Sequence, residues 1–206
     1  MSDQPSEINK EEELRIGVYV CHCGSNIAGV IDPKEVVEFA EGLPDVVHAI
    51  DTQYACADSG QRLIQEDIEK YKLNRVVVSA CSVRMHEPTF RGAVAQAGLN
   101  PFLMEMANIR EQCTWAHGHD REGALKKAKD LTAAAIAKSR FLTPLEMIKV
   151  PVTKRALVVG GGVAGINASV DLAEQGIETI LVEKQPTIGG VMSQLNKTFP
   201  TMDCSI

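Results

Sequence analysis

Six cysteines are the residues of this 206-residue chain best suited to chemistry, and five of them fall in its first 113 residues: Cys21, Cys23, Cys56, Cys81 and Cys113. Thiolates are soft ligands suited to zinc and to iron–sulfur clusters. Structural zinc usually draws on paired C-x2-C knuckles, and bacterial ferredoxins on a tight run of cysteines. Here Cys21-His22-Cys23 is the one tight pair, and the remaining intervals are about one strand-plus-helix unit each. A cluster needs about four thiolates at one point, so four of these five would serve and one would be spare. Cys21 still belongs to its strand, which favours Cys23 within the pair. Buried structural thiols are the ordinary alternative for any single cysteine, but five at strand ends argue against it. His22, His86, His117 and His119 read as hydrogen-bonding neighbours, Arg84 and Arg110 as supporting or structural groups, and Trp115 as a packing residue. A cation beside a cluster would raise its reduction potential.

The elements that must position these thiols follow from the apolar runs. Each cysteine comes soon after one: IGVYV before Cys21, VVHAI before Cys56, VVVSA before Cys81 and PFLMEMANI before Cys113. Helical patterns separate them. Asp32-Pro33 opens one helix with an N-cap acceptor and a first-turn proline; Leu63, Ile64 and Ile68 mark another over 58–71; a third is expected from Pro88 to Gly98, and a fourth over 122–139. Strands are expected at 14–23, 46–52, 75–80 and 102–106. This βαβαβαβα order predicts an α/β fold with a parallel sheet. Loops at the carboxyl ends of such strands converge on one edge, where ligands usually bind, so thiols remote in sequence would meet there.

A second signature begins at residue 156, ALVVGGGVAGINASVDLAEQGIETILVE. Gly160, Gly162 and Gly165 form G-x-G-x-x-G between a strand and a helix, a pattern for a tight turn, close approach of a pyrophosphate and close helix–strand packing. The second strand, 179–182, ends in Glu183, placed to accept from a ribose 2′-hydroxyl. That acid suits FAD or NAD better than NADP. Lys184 follows, and Gly189-Gly190 then resembles the turn of disulfide-reductase-type flavoproteins, which favours FAD. The chain is therefore expected to divide into a mobile acidic N-terminus at 1–13, an iron–sulfur cluster domain at 14–140, a linker at 141–153 holding Pro144 and Pro151, and an incomplete Rossmann-like FAD segment at 154–206.

The 45% apolar content supports a real core, and the net charge of −6 is concentrated at Asp3, Glu7, Glu11, Glu12 and Glu13. Residues 121–155 carry nine lysines and arginines against Glu122, Asp130 and Glu146, as suits a solvated helix face and linker. With 4% aromatic residues and no nucleic-acid-reading motif, nucleic acid is not an expected partner. No signal peptide or membrane span is legible, so the expected location is the cytoplasm, where thiols stay reduced.

The segments VCHCGSNIAGVID, NRVVVSACSVRMHEPTFRGAVAQAGLNPFLMEMANIREQCTWAH, LVVGGGVAGINASVDLAEQG and IGGVMSQLNKTFPTMDCS resemble the A-type iron–sulfur flavoprotein subunits of heterodisulfide reductases from methanogens and anaerobic bacteria. The resemblance implies an N-terminal cluster domain and a thioredoxin-reductase-type FAD domain in an oxidoreductase that bifurcates electrons. A two-electron donor would reduce FAD, which would feed ferredoxin and a disulfide-reducing partner. It implies FAD held by Gly160, Gly162, Gly165, Glu183 and Gly190, one [4Fe–4S] cluster on the N-terminal cysteines, and Cys204 as part of a second cluster. The implied partners are the other reductase subunits, an electron-input subunit of hydrogenase or formate dehydrogenase type, and ferredoxin. Residues 156–206 would supply only the start of the flavin domain, so this length of chain is expected to be inactive by itself and to bind FAD weakly. The position after Ile206 is expected to be a selenocysteine. The competing expectation is a non-catalytic docking module whose cysteines bind zinc or sense thiol redox state.

Overall fold

The computed structural model describes residues 13–204; the acidic segment 1–12 lies outside them. The chain divides into two compact units, one ending at Glu146 and the other beginning at Met147.

In the first unit four strands form one parallel sheet: β1 (Ile16–Cys21), β2 (Val46–Thr52), β3 (Arg75–Ala80) and β4 (Met104–Asn108), in the order β2-β1-β3-β4. Such a sheet is buried on both faces, and β1 shows the consequence, being buried at every position. Its side chains divide by parity. Ile16, Val18 and Val20 meet Val36 and Ala40 of helix α2 (Pro33–Glu41) and Ala124, Ala128 and Ile136 of α5 (Arg121–Ser139). Tyr19 and Cys21 share the opposite core with Ile64 and Ile68 of α3 (Asp58–Tyr71) and Phe90 and Val94 of α4 (Val83–Gln96). Each fully buried valine or isoleucine contributes about 1.5–3 kcal/mol, so the two cores fix the register. The buried hydroxyls of Ser79 and Thr132 meet at 2.9 Å and join β3 to α5.

Several boundaries differ from the sequence expectation, β1 covering Ile16–Cys21 instead of 14–23 among them, and two have a local cause. Helix α4 starts at Val83, where the Ser82 hydroxyl accepts from the Arg84 amide at 3.3 Å, and Pro88 lies inside it. The cap satisfies a first-turn amide ahead of the proline, which itself brings no amide to the helix. Strand β4 starts at Met104 because Asn100, accepting from Phe102 N at 3.0 Å, folds Pro101–Leu103 into a 3-10 turn. A short helix α1 (Ser25–Ala28) and a π-helical turn at Arg110–Thr114 complete the unit.

In the second unit β5 (Arg155–Val159) and β6 (Glu178–Val182) pair in parallel around α6 (Val163–Glu174), and a short antiparallel pair follows, β7 (Lys197–Thr198) with β8 (Asp203–Cys204). This is a Rossmann-like βαβ start. Among the described residues no helix is long and apolar enough to cross a membrane.

Candidate metal centre and dinucleotide turn

The order β2-β1-β3-β4 makes β1 and β3 the place where the chain's crossovers part, one running outward to β2 and the other to β4. Ligands bind at this switch point, beyond the strands' carboxyl ends. Cys21 ends β1, Cys23 and Cys81 follow β1 and β3, and Cys56 follows β2. Their side chains interact: Cys21 feels Cys23 and Cys56, and Cys81 feels the same two.

The turn after β1 is sharp. Cys23 has φ 49° and Gly24 φ 60°, so two successive residues take left-handed values. A non-glycine residue there stores strain of about 1 kcal/mol or more, a cost often found at functional sites. It folds the Cys23 amide back onto Cys21 Sγ at 3.3 Å, and Ala55 N donates to the same sulfur at 3.4 Å. Two amides on one sulfur is the pattern that stabilises a thiolate ligand. The loop bearing Cys56 approaches because α3 has Gly60 in its first turn, where a Cβ would stand 2.6 Å from Ala55 Cα, and Gln61 Nε2 donates to Cys56 O at 2.8 Å.

Burial pushes the Cys21 thiol up, opposed by those amides, and pushes Cys81 up to about 11, opposed by Arg110. The Arg110 side chain is nearly buried and donates from Nη1 to Cys23 Sγ at 3.0 Å. Burial pulls its guanidinium down, but its hydrogen bonds to Glu111 and Cys23 outweigh that and hold it above its ordinary value. His22 Nε2 pairs with Asp51 Oδ2 beside the site. His86 meets Thr89 at 3.4 Å, and His117 meets Lys127 at 2.9 Å. Trp115 packs its ring on the Arg110 guanidinium at 4.7 Å, with its indole N–H on Asn26 Oδ1, while remaining 57% exposed.

Cys113 does not join the four. It is fully buried in the opposite core with Val18 and Val20, and its thiol donates to Ala124 O at 3.0 Å. Burial pushes it up, with Lys127 in opposition. Cys204, on β8 in the second unit, is exposed.

The donor set fits a cluster. Four thiols converge from three strand ends, and amide and guanidinium donors already aim at two of the sulfurs. Among the described residues no three histidine, cysteine or acidic side chains close on a single point as one metal ion demands. Tetrahedral Zn–S bonds of about 2.3 Å would require sulfurs within about 4 Å of each other.

In the second unit Gly160 turns the chain at φ 106°, its amide donating to Val182 O at 2.8 Å. Gly165 lets α6 lie against the turn, since a Cβ there would fall inside the Gly160 carbonyl. Gly162 is the N-cap of α6 and has no side chain to occupy the first-turn amides, which suits them to phosphate. Glu183 accepts from Gly161 N at 2.6 Å and from Gln185 N at 2.8 Å. The Gln185 and Gly161 amides hold it below the usual carboxylate range. Lys184 is exposed beside it. Gly189 donates to Gly161 O at 2.7 Å and bridges to Gly162, while a Cβ on Gly190 would sit 3.0 Å from Gly162 Cα. The two glycine turns therefore stack. Beside them Val163, Ile166, Asn167, Ile188, Met192 and Ser193 line a hollow of about 290 Å³.

Sequence reading missed Gly60, Glu111 and Asn26 as supports of this edge. A glycine two residues into a helix was a legible sign of close backbone approach; the other two carry no local signal.

Residues 156–203 match a family described as FAD dependent oxidoreductase. The chain is 66% identical over 196 residues to an A-type CoB–CoM heterodisulfide reductase iron-sulfur subunit of Methanopyrus kandleri, covering 95% of this chain and 30% of that protein. It is 60% identical to the A-type subunit of the H2:CoB-CoM heterodisulfide,ferredoxin reductase of Methanothermobacter thermautotrophicus, with 95% and 30% covered. It is 56% identical to an A-like heterodisulfide reductase protein of Archaeoglobus profundus, with 95% and 28% covered. The chain thus spans about 30% of the length of these relatives.

Proposed function

We propose that the chain carries electrons within an oxidoreductase of heterodisulfide reductase type, through one [4Fe–4S] cluster on Cys21, Cys23, Cys56 and Cys81 and an FAD on its second unit. The observation that carries this reading is the convergence of four thiols at the β1/β3 switch point, with hydrogen-bond donors already directed at the sulfurs. The matches to iron-sulfur subunits and to an FAD oxidoreductase family support it.

When bound, such a cluster supplies one-electron transfer and FAD exchanges one or two electrons. The chain's part is to hold and tune them. The amides of Cys23 and Ala55 fix Cys21 Sγ, and Arg110 fixes Cys23 Sγ. Gly160, Gly162 and Gly165 shape the pyrophosphate turn, and Glu183 and Lys184 stand beside it. Gly189 and Gly190 back the turn from the other side. Cys204 belongs to a second cluster. In the whole protein electrons enter from a hydrogenase or formate dehydrogenase and are bifurcated at FAD. One branch leaves to ferredoxin, and the other to the disulfide-reducing subunits.

Anaerobic preparation followed by iron, acid-labile sulfide and zinc analysis tests the cluster. About four irons and four sulfides per chain are expected. Zinc without sulfide would overturn the cluster and favour the docking module.

A further inference from the structure

We infer that Arg110, clamped by Glu111, is the residue that sets the reduction potential of the cluster edge, raising it through a direct N–H···S bond to Cys23. The inference rests on the cluster reading above.

Arg110 opens the π-helical turn Arg110–Thr114, a rare backbone form. This turn is stapled to the cysteine edge. Ile109 N donates to Ala80 O at 2.9 Å, next to Cys81, and Thr114 Oγ1 donates to Asn26 O at 2.9 Å, just past Cys23. The guanidinium is held from every side. Nη1 donates to Cys23 Sγ at 3.0 Å, Nη2 to Met85 Sδ at 3.2 Å and to Glu111 Oε1 at 2.7 Å, and Nε to the same oxygen at 3.2 Å. Trp115 lies against it, 4.7 Å from ring centroid to Cζ.

Two features separate this arrangement from an ordinary ion pair. The side chain is only 11% exposed, so its charge is weakly screened. Glu111 accepts from Arg110 through one oxygen alone, while Oε2 is buried with no hydrogen-bond partner. The carboxylate is therefore dedicated to the guanidinium, and the guanidinium stands between it and the sulfur.

The physical consequence has a sign. Adding one electron to a cluster adds one negative charge and breaks no bond. A fixed cation and an N–H donor on a ligand sulfur stabilise that added charge, so reduction becomes easier. Glu111 moderates the effect. Arg110 is a positioning residue: it touches a ligand and exchanges no electron.

The test is a reduction potential measured by an EPR-monitored redox titration on the anaerobically loaded 206-residue chain. Arg110→Gln is expected to shift the one-electron equilibrium at least tenfold toward the oxidised form, about 59 mV downward. Arg110→Lys, which keeps the charge, is expected to shift it less. Glu111→Gln is expected to shift it the opposite way, a sign reversal that a merely structural role does not produce. Should Arg110→Gln lose its cluster, the Glu111→Gln result decides alone. An unmoved potential in a cluster-bearing Glu111→Gln, or in a cluster-bearing Arg110→Gln, overturns the inference and leaves the cluster reading standing. A parent chain that takes up no iron and sulfide overturns both.

Discussion

The Cys113 thiol donates a hydrogen bond to the main-chain carbonyl of Ala124 at 3.0 Å, and that bond holds it in the α2/α5 core. The fifth cysteine is thereby buried on the α2/α5 side, where Cys23 also packs, whereas Cys21 and Cys56 belong to the α3/α4 side. Replacing it should leave metal loading intact. Cys113→Ala is expected to retain the parent's iron and sulfide content while losing about 1–2 kcal/mol of stability through the missing bond and the small void. Cys21→Ser, Cys56→Ser and Cys81→Ser are each expected to lose most of their iron. Metal and sulfide analysis of the four variants decides the assignment, and loss of iron in Cys113→Ala would refute it.

Gly60 is where helix α3 admits the loop bearing Cys56. A methyl group at this position would stand 2.6 Å from Ala55 Cα and from Ala55 O, both backbone atoms that cannot swing aside. Gly60→Ala should therefore cost about 1–3 kcal/mol and displace Cys56 together with the Ala55 amide that donates to Cys21 Sγ. Thermal unfolding reports the cost. A faster alkylation of Cys56 in the metal-free variant reports the displacement, and an unchanged rate would argue that the loop is held by other contacts.

Tyr19 is fully buried, with its hydroxyl 3.4 Å from Asp67 Oδ2, and burial together with the Asp67 charge raises its ionisation well above the ordinary tyrosine value. A group whose value is raised in the folded state stabilises the fold below its unfolded value and loses that contribution as pH rises. The stability it lends should therefore fade above about pH 10, where the unfolded chain gives up the proton first. Tyr19→Phe is expected to cost no more than about 1 kcal/mol near neutrality and to flatten the alkaline decline. Urea midpoints measured across the alkaline range test this, and parallel declines in parent and variant would remove Tyr19 as the cause.

Gly165 allows α6 to lie against the Gly160 carbonyl, and no side chain fits between them. Gly165→Ala should strain the turn by about 3 kcal/mol or more and loosen the segment 155–182. Hydrogen–deuterium exchange of α6 should accelerate, while the strands of the first unit keep their protection. Uniform acceleration in both units would mean that the substitution acts on more than the local turn.

The sequence by itself determined the kinds of element and their order, because short continuous apolar runs and 3.6-period helices are locally encoded. It also determined the G-x-G-x-x-G turn, whose glycines answer to a backbone path that few other residues can follow. What it could not determine was which thiols share a face. That depends on strand order and on side-chain parity: Cys21 falls with Tyr19 on the α3/α4 side, while Cys113, in the π-helical turn past β4, falls with Val18 and Val20 on the α2/α5 side. The start of α4 lay between a serine cap and a proline six residues on, and the helix begins at the cap with the proline inside it. Arg110 is the clearest case. Its partner Cys23 lies eighty-seven residues earlier in the chain, and no local pattern records a contact made only when β1 and β4 are brought into one sheet.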